Sequence, residues 1–415
     1  MTVEPPSTQV SSWGTDSCVM RTSCSALPRI PRLVGLLGLL GLLGASGCRR
    51  PGPVVWQAEA AAGSQAAPLV TAQFIAWGHD AGVTLLELDG RQRCRFEGHG
   101  GVVGTPQSDG QRILFGSINQ NFYAIDGHCR LLWQIATGGP ILGAAQVANG
   151  RVYFGSGDGH LYAVDLATGS PVWQFPALAP ASQLAAAPRA RQGRQQTSGR
   201  AARRRPPPPA RSPWLAGPPP PSGPPPASFA QTSPVLSEGR LLAGGADGYL
   251  YVLAADDGRL LWRFAAGEGL VGAPVVAGDI FYAATRGGDI YAMQADSHEL
   301  LWRYATRAPL RSGPRLDREV LWVASDDHHV YELDARLGTA KSSTSLPASL
   351  GPRPGLHRGQ LLLGADDGVL YGLRRGAAPE PIWRSAAAIW AEPLVVGERL
   401  YVSTSFGQLY ALALD

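Results

Sequence analysis

Lysine is nearly missing from this 415-residue chain: 35 of its 36 basic residues are Arg and the one Lys is Lys341. So lopsided a choice reflects a GC-rich coding sequence rather than a surface built for nucleic acid. Charged residues make up only 16%, and no Gly-rich phosphate loop, serine-nucleophile elbow, HExxH zinc motif or vicinal cysteine pair occurs. The longest apolar stretch is residues 33–47, LVGLLGLLGLLGASG. Fifteen residues are too few to span a bilayer but suit the core of a secretory signal. With 52 Gly and 35 Pro, the chain has too many turn formers for a helical protein and reads as all-β.

What is present is a repeat. Residues 155–173, GSGDGHLYAVDLATGSPVW, divide into a two-residue turn at Asp158-Gly159, a strand from His160, a second turn at Thr168-Gly169 and another strand from Pro171. Leu161 to Val164 form an unbroken apolar run, so both faces of that strand are expected to be covered. Taking Tyr162 as marker, equivalents fall at Leu86, Tyr123, Tyr251, Tyr291, Tyr331, Tyr371 and Tyr410. Apart from one gap of 89, the steps are 37 to 40 residues, the period of a four-stranded propeller blade. Eight markers predict an eight-bladed β-propeller. Tryptophans recur in phase at Trp133, Trp173, Trp262, Trp302 and Trp383, with Phe96 in the first copy and Ser342 in the sixth. A ring at that place can wedge between blades. Val54-Val55-Trp56-Gln57 matches the outer strand Pro171-Val172-Trp173-Gln174, while the last copy stops after its third strand. The N-terminal strand is therefore expected to fill the vacancy and close the ring.

The pattern Ala163, Asp165, Thr168, Gly169, Trp173 resembles the repeat of the pyrroloquinoline-quinone-type β-propellers. That superfamily includes quinoprotein dehydrogenases and the non-enzymatic outer-membrane assembly lipoproteins of the BamB type. The dehydrogenases, as the resemblance has it, need a catalytic Asp, a Ca²⁺ held by Glu, Asn and Asp, and cofactor-facing loops. Residues 54–415, less roughly 49 for an insert, leave about 39 per blade, which four strands and their turns consume. The expectation is therefore no enzyme, no catalytic residue, no cofactor and no metal. Asp326-Asp327-His328-His329 falls where other copies carry the second-to-third-strand turn, and is read as a turn rather than as metal ligands.

Arg29 and Arg32 precede the apolar segment and Cys48 follows it at once, and Ala45-Ser46-Gly47-Cys48 resembles a bacterial lipobox. The expected organisation is a lipoprotein signal over 1–47, with Met20 a candidate start because residues 1–19 carry no positive charge, then lipidation at Cys48 and a tether over 48–53. Arg49, rather than Asp, after the Cys points by the family's sorting pattern to the periplasmic face of the outer membrane. Residues 177–230 interrupt the propeller with 14 of the 35 Pro and eight Arg, a composition that cannot offset the entropy of ordering. Subtracting that insert's eight positive charges and the leader's net one from +4 leaves the body near −5. Export makes a Cys94–Cys129 disulfide chemically possible, while their different places in the repeat count against it. The resulting expectation is a monomeric, lipid-anchored scaffold for envelope proteins, a barrel-assembly protein among them, with envelope glycan as the alternative partner. Trp77, Trp322 and Trp390, which are out of phase, are the candidates for a glycan-binding rim.

Overall fold

The computed structural model describes residues 51–60, 62–177, 228–231, 233–351 and 354–414. The leader, Cys48 and residues 178–227 lie outside them. All regular structure among the described residues is β, in eight antiparallel four-stranded sheets arranged as the blades of a propeller. Blades 1 to 7 cover residues 69–97, 107–136, 146–176, 235–265, 270–305, 315–345 and 355–384. We letter their strands A to D in chain order. Neighbouring A strands approach one another around the axis, while D strands form the outer edge.

Blade 3 shows why the sequence folds this way. Its strands are Gln146–Ala148, Arg151–Gly155, His160–Asp165 and Pro171–Pro176. Strands B and C are buried on both faces, and strand D alternates exposed and covered residues as an edge strand does. Asp158 caps the B–C turn by accepting the His160 N–H at 3.0 Å, and Gly159 takes φ 86° there. The same turn position is filled at φ 65° by His328 in blade 6. Asp165 holds the C–D turn through the Thr168 hydroxyl and N–H, both at 2.8 Å.

Blade 8 takes strands A to C from Leu394–Val396, Arg399–Ser403 and Gln408–Leu414, and strand D from Pro51–Glu59. Trp56 stands opposite Ala411, as Trp173 stands opposite Ala163. The N-terminal strand thus closes the ring in the tryptophan register.

Two sequence assignments are displaced. In blade 1 Thr84, not Leu86, holds the marker place: it pairs with Arg95 as Tyr123 pairs with Gln134. Cys94, opposite Leu85, therefore stands where Trp133 stands, and Phe96 lies two residues further on. The C–D turn of blade 1 is shorter than that of blade 3. In blade 7 the register irregularity falls between Leu370 and Tyr371, which puts Trp383 opposite Leu370. That is the place of Phe264, opposite Leu250, so Trp383 is not an in-phase wedge.

The wedges set how blades join. Trp56, Trp133, Trp173 and Trp302 each lie on the C–D turn glycine of the next blade: Gly90, Gly169, Gly258 and Gly338, all with positive φ. A Cβ on any of these glycines would overlap the indole. Each indole N–H donates to a carbonyl of that turn, Leu88, Leu166, Ala255 and Ala335, at 3.0 to 3.2 Å. Trp262 instead meets His298, with ring centroids 4.7 Å apart. Between blades 1 and 2 the contact is covalent, a Cys94–Cys129 disulfide with Cα atoms 6.0 Å apart. Contrary to the sequence expectation, their different places in the repeat favour this bond: a wedge and its receiving turn are out of phase, and these two cysteines occupy those two places. Between blades 6 and 7 the buried Glu332 carboxylate accepts the Gly376 N–H at 3.1 Å, and Ser342 replaces the ring.

Candidate interaction face

Each B–C turn donates a backbone N–H to the connection that enters its blade: Asp80 to Gly63, Ile118 to Gly101, Gly157 to Pro140, Ala246 to Ser228, Arg286 to Gly269, Asp326 to Pro309, Asp366 to Ser349 and Ser405 to Ala388, at 2.7 to 3.0 Å. These bonds place all eight B–C turns and all the D–A connections on one face of the ring, including the connection that carries residues 178–227.

The turns are stiff because their acids have partners. Tyr162, Tyr251, Tyr331 and Tyr371 donate to Asp158, Asp247, Asp327 and Asp367 at 2.5 to 3.0 Å, and Asn119 donates to the Tyr123 oxygen at 2.7 Å. Burial raises the Asp158 carboxyl, but bonds from the Tyr162 hydroxyl and the Gly138 and His160 N–H groups outweigh it and hold the acid below its usual range. Burial and the bond to Asp327 push Tyr331 up to about 12. Asp327 has both carboxylate oxygens engaged, one by Tyr331 and one by the His329 N–H. The Asp326–His329 stretch is thus a hydrogen-bonded turn. Among the described residues no three His, Cys, Asp or Glu side chains cluster as metal ligands.

Around this rigid rim the free surface is uneven. Phe406, in the blade 8 turn, is 75% exposed, and Ile118 in the blade 2 turn is 50% exposed. Trp390, in the connection into blade 8, is 38% exposed and donates its indole N–H to Asp366 at 2.6 Å. Arg311 pairs with Asp326 at 2.8 Å. Trp77 and Trp322 are not rim residues; both are buried. Trp77 donates to the Ser64 and Ser403 hydroxyls, each at 3.0 Å. Of these three tryptophans only Trp390 reaches the surface. Phe406 carried no repeat signal, since its place is held by Asn119, Asp158, Asp247, Asp327 and Asp367 in five of the other turns and by Gly287 in blade 5. Inside the ring, Arg315 of blade 6 donates to the Pro354 carbonyl of blade 7 and to Glu392 of the connection into blade 8.

The insert is shorter than its composition suggested. Phe229 and Ala230 are buried; Phe229 sits over Gly155, with its N–H on the Ser156 carbonyl at 3.1 Å. It repeats the role of Ile141, whose N–H bonds the Ser117 carbonyl at 3.0 Å.

The family model for the outer membrane protein assembly factor BamB matches residues 49–202, 211–309 and 246–375. The chain belongs to this family. Its fold is similar to the crystal structure of BamB from Moraxella catarrhalis, with a TM-score of 0.67, 15% identity and coverage of 87% of this chain and 99% of that one. It is also similar to the computationally designed protein Ika8, with a TM-score of 0.62, 13% identity and coverage of 88% and 100%. At those identities the likeness speaks to fold. No curated protein matches the sequence.

Proposed function

We propose that this BamB-family chain is a non-enzymatic scaffold, lipid-anchored through Cys48 at the periplasmic face of the outer membrane, that holds envelope proteins during barrel assembly. The observation that carries the reading is the family match along most of the propeller. A rigid ring of turns with exposed Phe406, Trp390 and Ile118 suits recognition, because side chains there vary without disturbing blades. Apolar anchors in a polar rim are what protein interfaces use.

The test is affinity capture from native envelopes with wild type and with Trp390→Ser/Phe406→Ser. A barrel-assembly protein is expected with the wild type and in reduced amount with the variant. Stoichiometric binding of pyrroloquinoline quinone or Ca²⁺, or dye-linked alcohol oxidation, would replace the scaffold with an enzyme. Cys48→Ser is expected to release the protein from membranes after a salt wash; a variant that stays bound removes the anchor from the proposal.

A further inference from the structure

Blades 7 and 8 meet at a cleft of about 100 Å³ whose apolar lining is Leu362, Ile382, Val395, Leu400 and Leu414, with polar and charged side chains beside them. Its place in the repeat is that of a tryptophan wedge. Leu362 pairs with Gly372 as Tyr153 pairs with Ala163, and Leu400 with Leu412 as Leu241 with Leu253. The Leu414 N–H donates to the Glu398 carbonyl at 2.9 Å, as the Ala255 N–H donates to the Gly239 carbonyl at 2.9 Å. The cleft walls Leu362, Val395, Leu400 and Leu414 therefore correspond to Tyr153, Leu236, Leu241 and Ala255, which pack together around Trp173.

Two departures leave this slot open. The shifted register of blade 7 sends Trp383 to the next place, where it meets Tyr410 edge-on at 4.8 Å, and Ile382 stands in the cleft instead. In addition, strand D of blade 8 comes from Pro51–Glu59, so no C–D turn joins strands C and D there, and among the described residues no turn glycine covers the slot.

We propose that this cleft binds an indole: a tryptophan side chain of a partner polypeptide, seated as Trp56, Trp133, Trp173 and Trp302 are seated in their own slots. Those four show what the site is shaped for, an aromatic plate between apolar walls with its N–H on a turn carbonyl. In the open slot the corresponding carbonyl is that of Leu414. The scaffold reading supplies the partner; the affinity for indole stands on the cleft alone.

The probe is acetyl-Gly-Trp-Gly-amide carrying 5-fluorotryptophan, titrated into the full-length protein and followed by ¹⁹F NMR. Saturable binding is expected, about tenfold weaker for a leucine peptide, which lacks the donor and the plate. Ile382→Trp fills the slot from within and should abolish binding. Val395→Trp, which fills the slot from the opposite wall, should weaken it should the first variant fold poorly. No saturable binding to wild type, or equal binding to both variants, overturns the proposal. Binding only when the chain begins at Pro51, which pairs with Leu414 at the cleft edge, gives the slot to the chain's own preceding residues and also overturns it. Indole binding without capture of any barrel-assembly protein would leave the slot standing and remove the assembly partner.

Discussion

Cys94 and Cys129 are joined at the point where, one blade further round, Trp133 lies on Gly169. The disulfide is thus a covalent version of a contact the repeat otherwise makes by stacking. It closes 35 residues of sequence separation, and removing it with Cys94→Ser/Cys129→Ser should cost about 3 to 4 kcal/mol on the chain-entropy estimate. If the equivalence holds, Cys94→Trp/Cys129→Gly should recover much of that loss and make the denaturation midpoint insensitive to reductant. A double variant no more stable than the serine pair would show that the two contacts are not interchangeable.

Closure gives a second prediction. Trp56 bonds Leu88 across the seam and covers Gly90, so it joins the first and last blades as the other wedges join neighbours. Trp56→Ala should cost about 3 to 5 kcal/mol, the range for deleting a large aromatic from a packed site. Chemical denaturation reads this directly; an unchanged midpoint would mean the seam holds without it.

Period and blade number were legible because the Tyr and Trp markers recur where strands B to D are laid down, and Trp56 carried its own neighbours with it. Three features were not. Phase in blades 1 and 7 depended on turn length and bulge position, which spacing does not report, and so Leu86 and Trp383 were misplaced. Cys94 and Cys129 were judged against each other within one repeat, whereas the physical contact joins different places in adjacent repeats. Phe229 was counted with the Pro/Arg-rich insert because composition blurs an edge that one buried ring defines. The interaction face was legible as a set of turns but not as a surface: the Asp residues that mark it are spent on Tyr hydroxyls, and the exposed aromatics Phe406 and Trp390 lie outside the pattern.

A pH dependence follows from His79. The ring is buried; Nδ1 accepts the Ala81 N–H at 3.3 Å, so the neutral ring carries its proton on Nε2 toward Thr84 at 2.9 Å. Burial lowers its pKa, Glu97 opposes and Arg95 reinforces. Below the ordinary value of 6.5 the unfolded chain takes up a proton that the folded chain refuses, so stability falls as pH drops from 6.5 towards the depressed folded value. Melting curves between neutral and mildly acidic pH should show this slope in wild type and less of it in His79→Gln. Equal slopes would assign the acid sensitivity to other groups.

The edge of the insert can be separated from its body. Residues 178–227 enter between Ala177, whose N–H is held by Gly159 at 2.6 Å, and Ser228, whose carbonyl takes the Ala246 N–H at 2.8 Å. Both ends are thus fixed by the blades. Deleting residues 182–226 should move the melting temperature little, because closure entropy varies only logarithmically with loop length. Phe229→Ala, just beyond that edge, should cost about 3 to 5 kcal/mol, since the ring packs on Tyr251 at 5.3 Å and covers Gly155. Measured side by side, a costly deletion with a harmless Phe229→Ala would reverse the assignment and make the Pro/Arg-rich segment part of the propeller's support. The opposite pair of results would leave it as a passenger on the face that carries the turns.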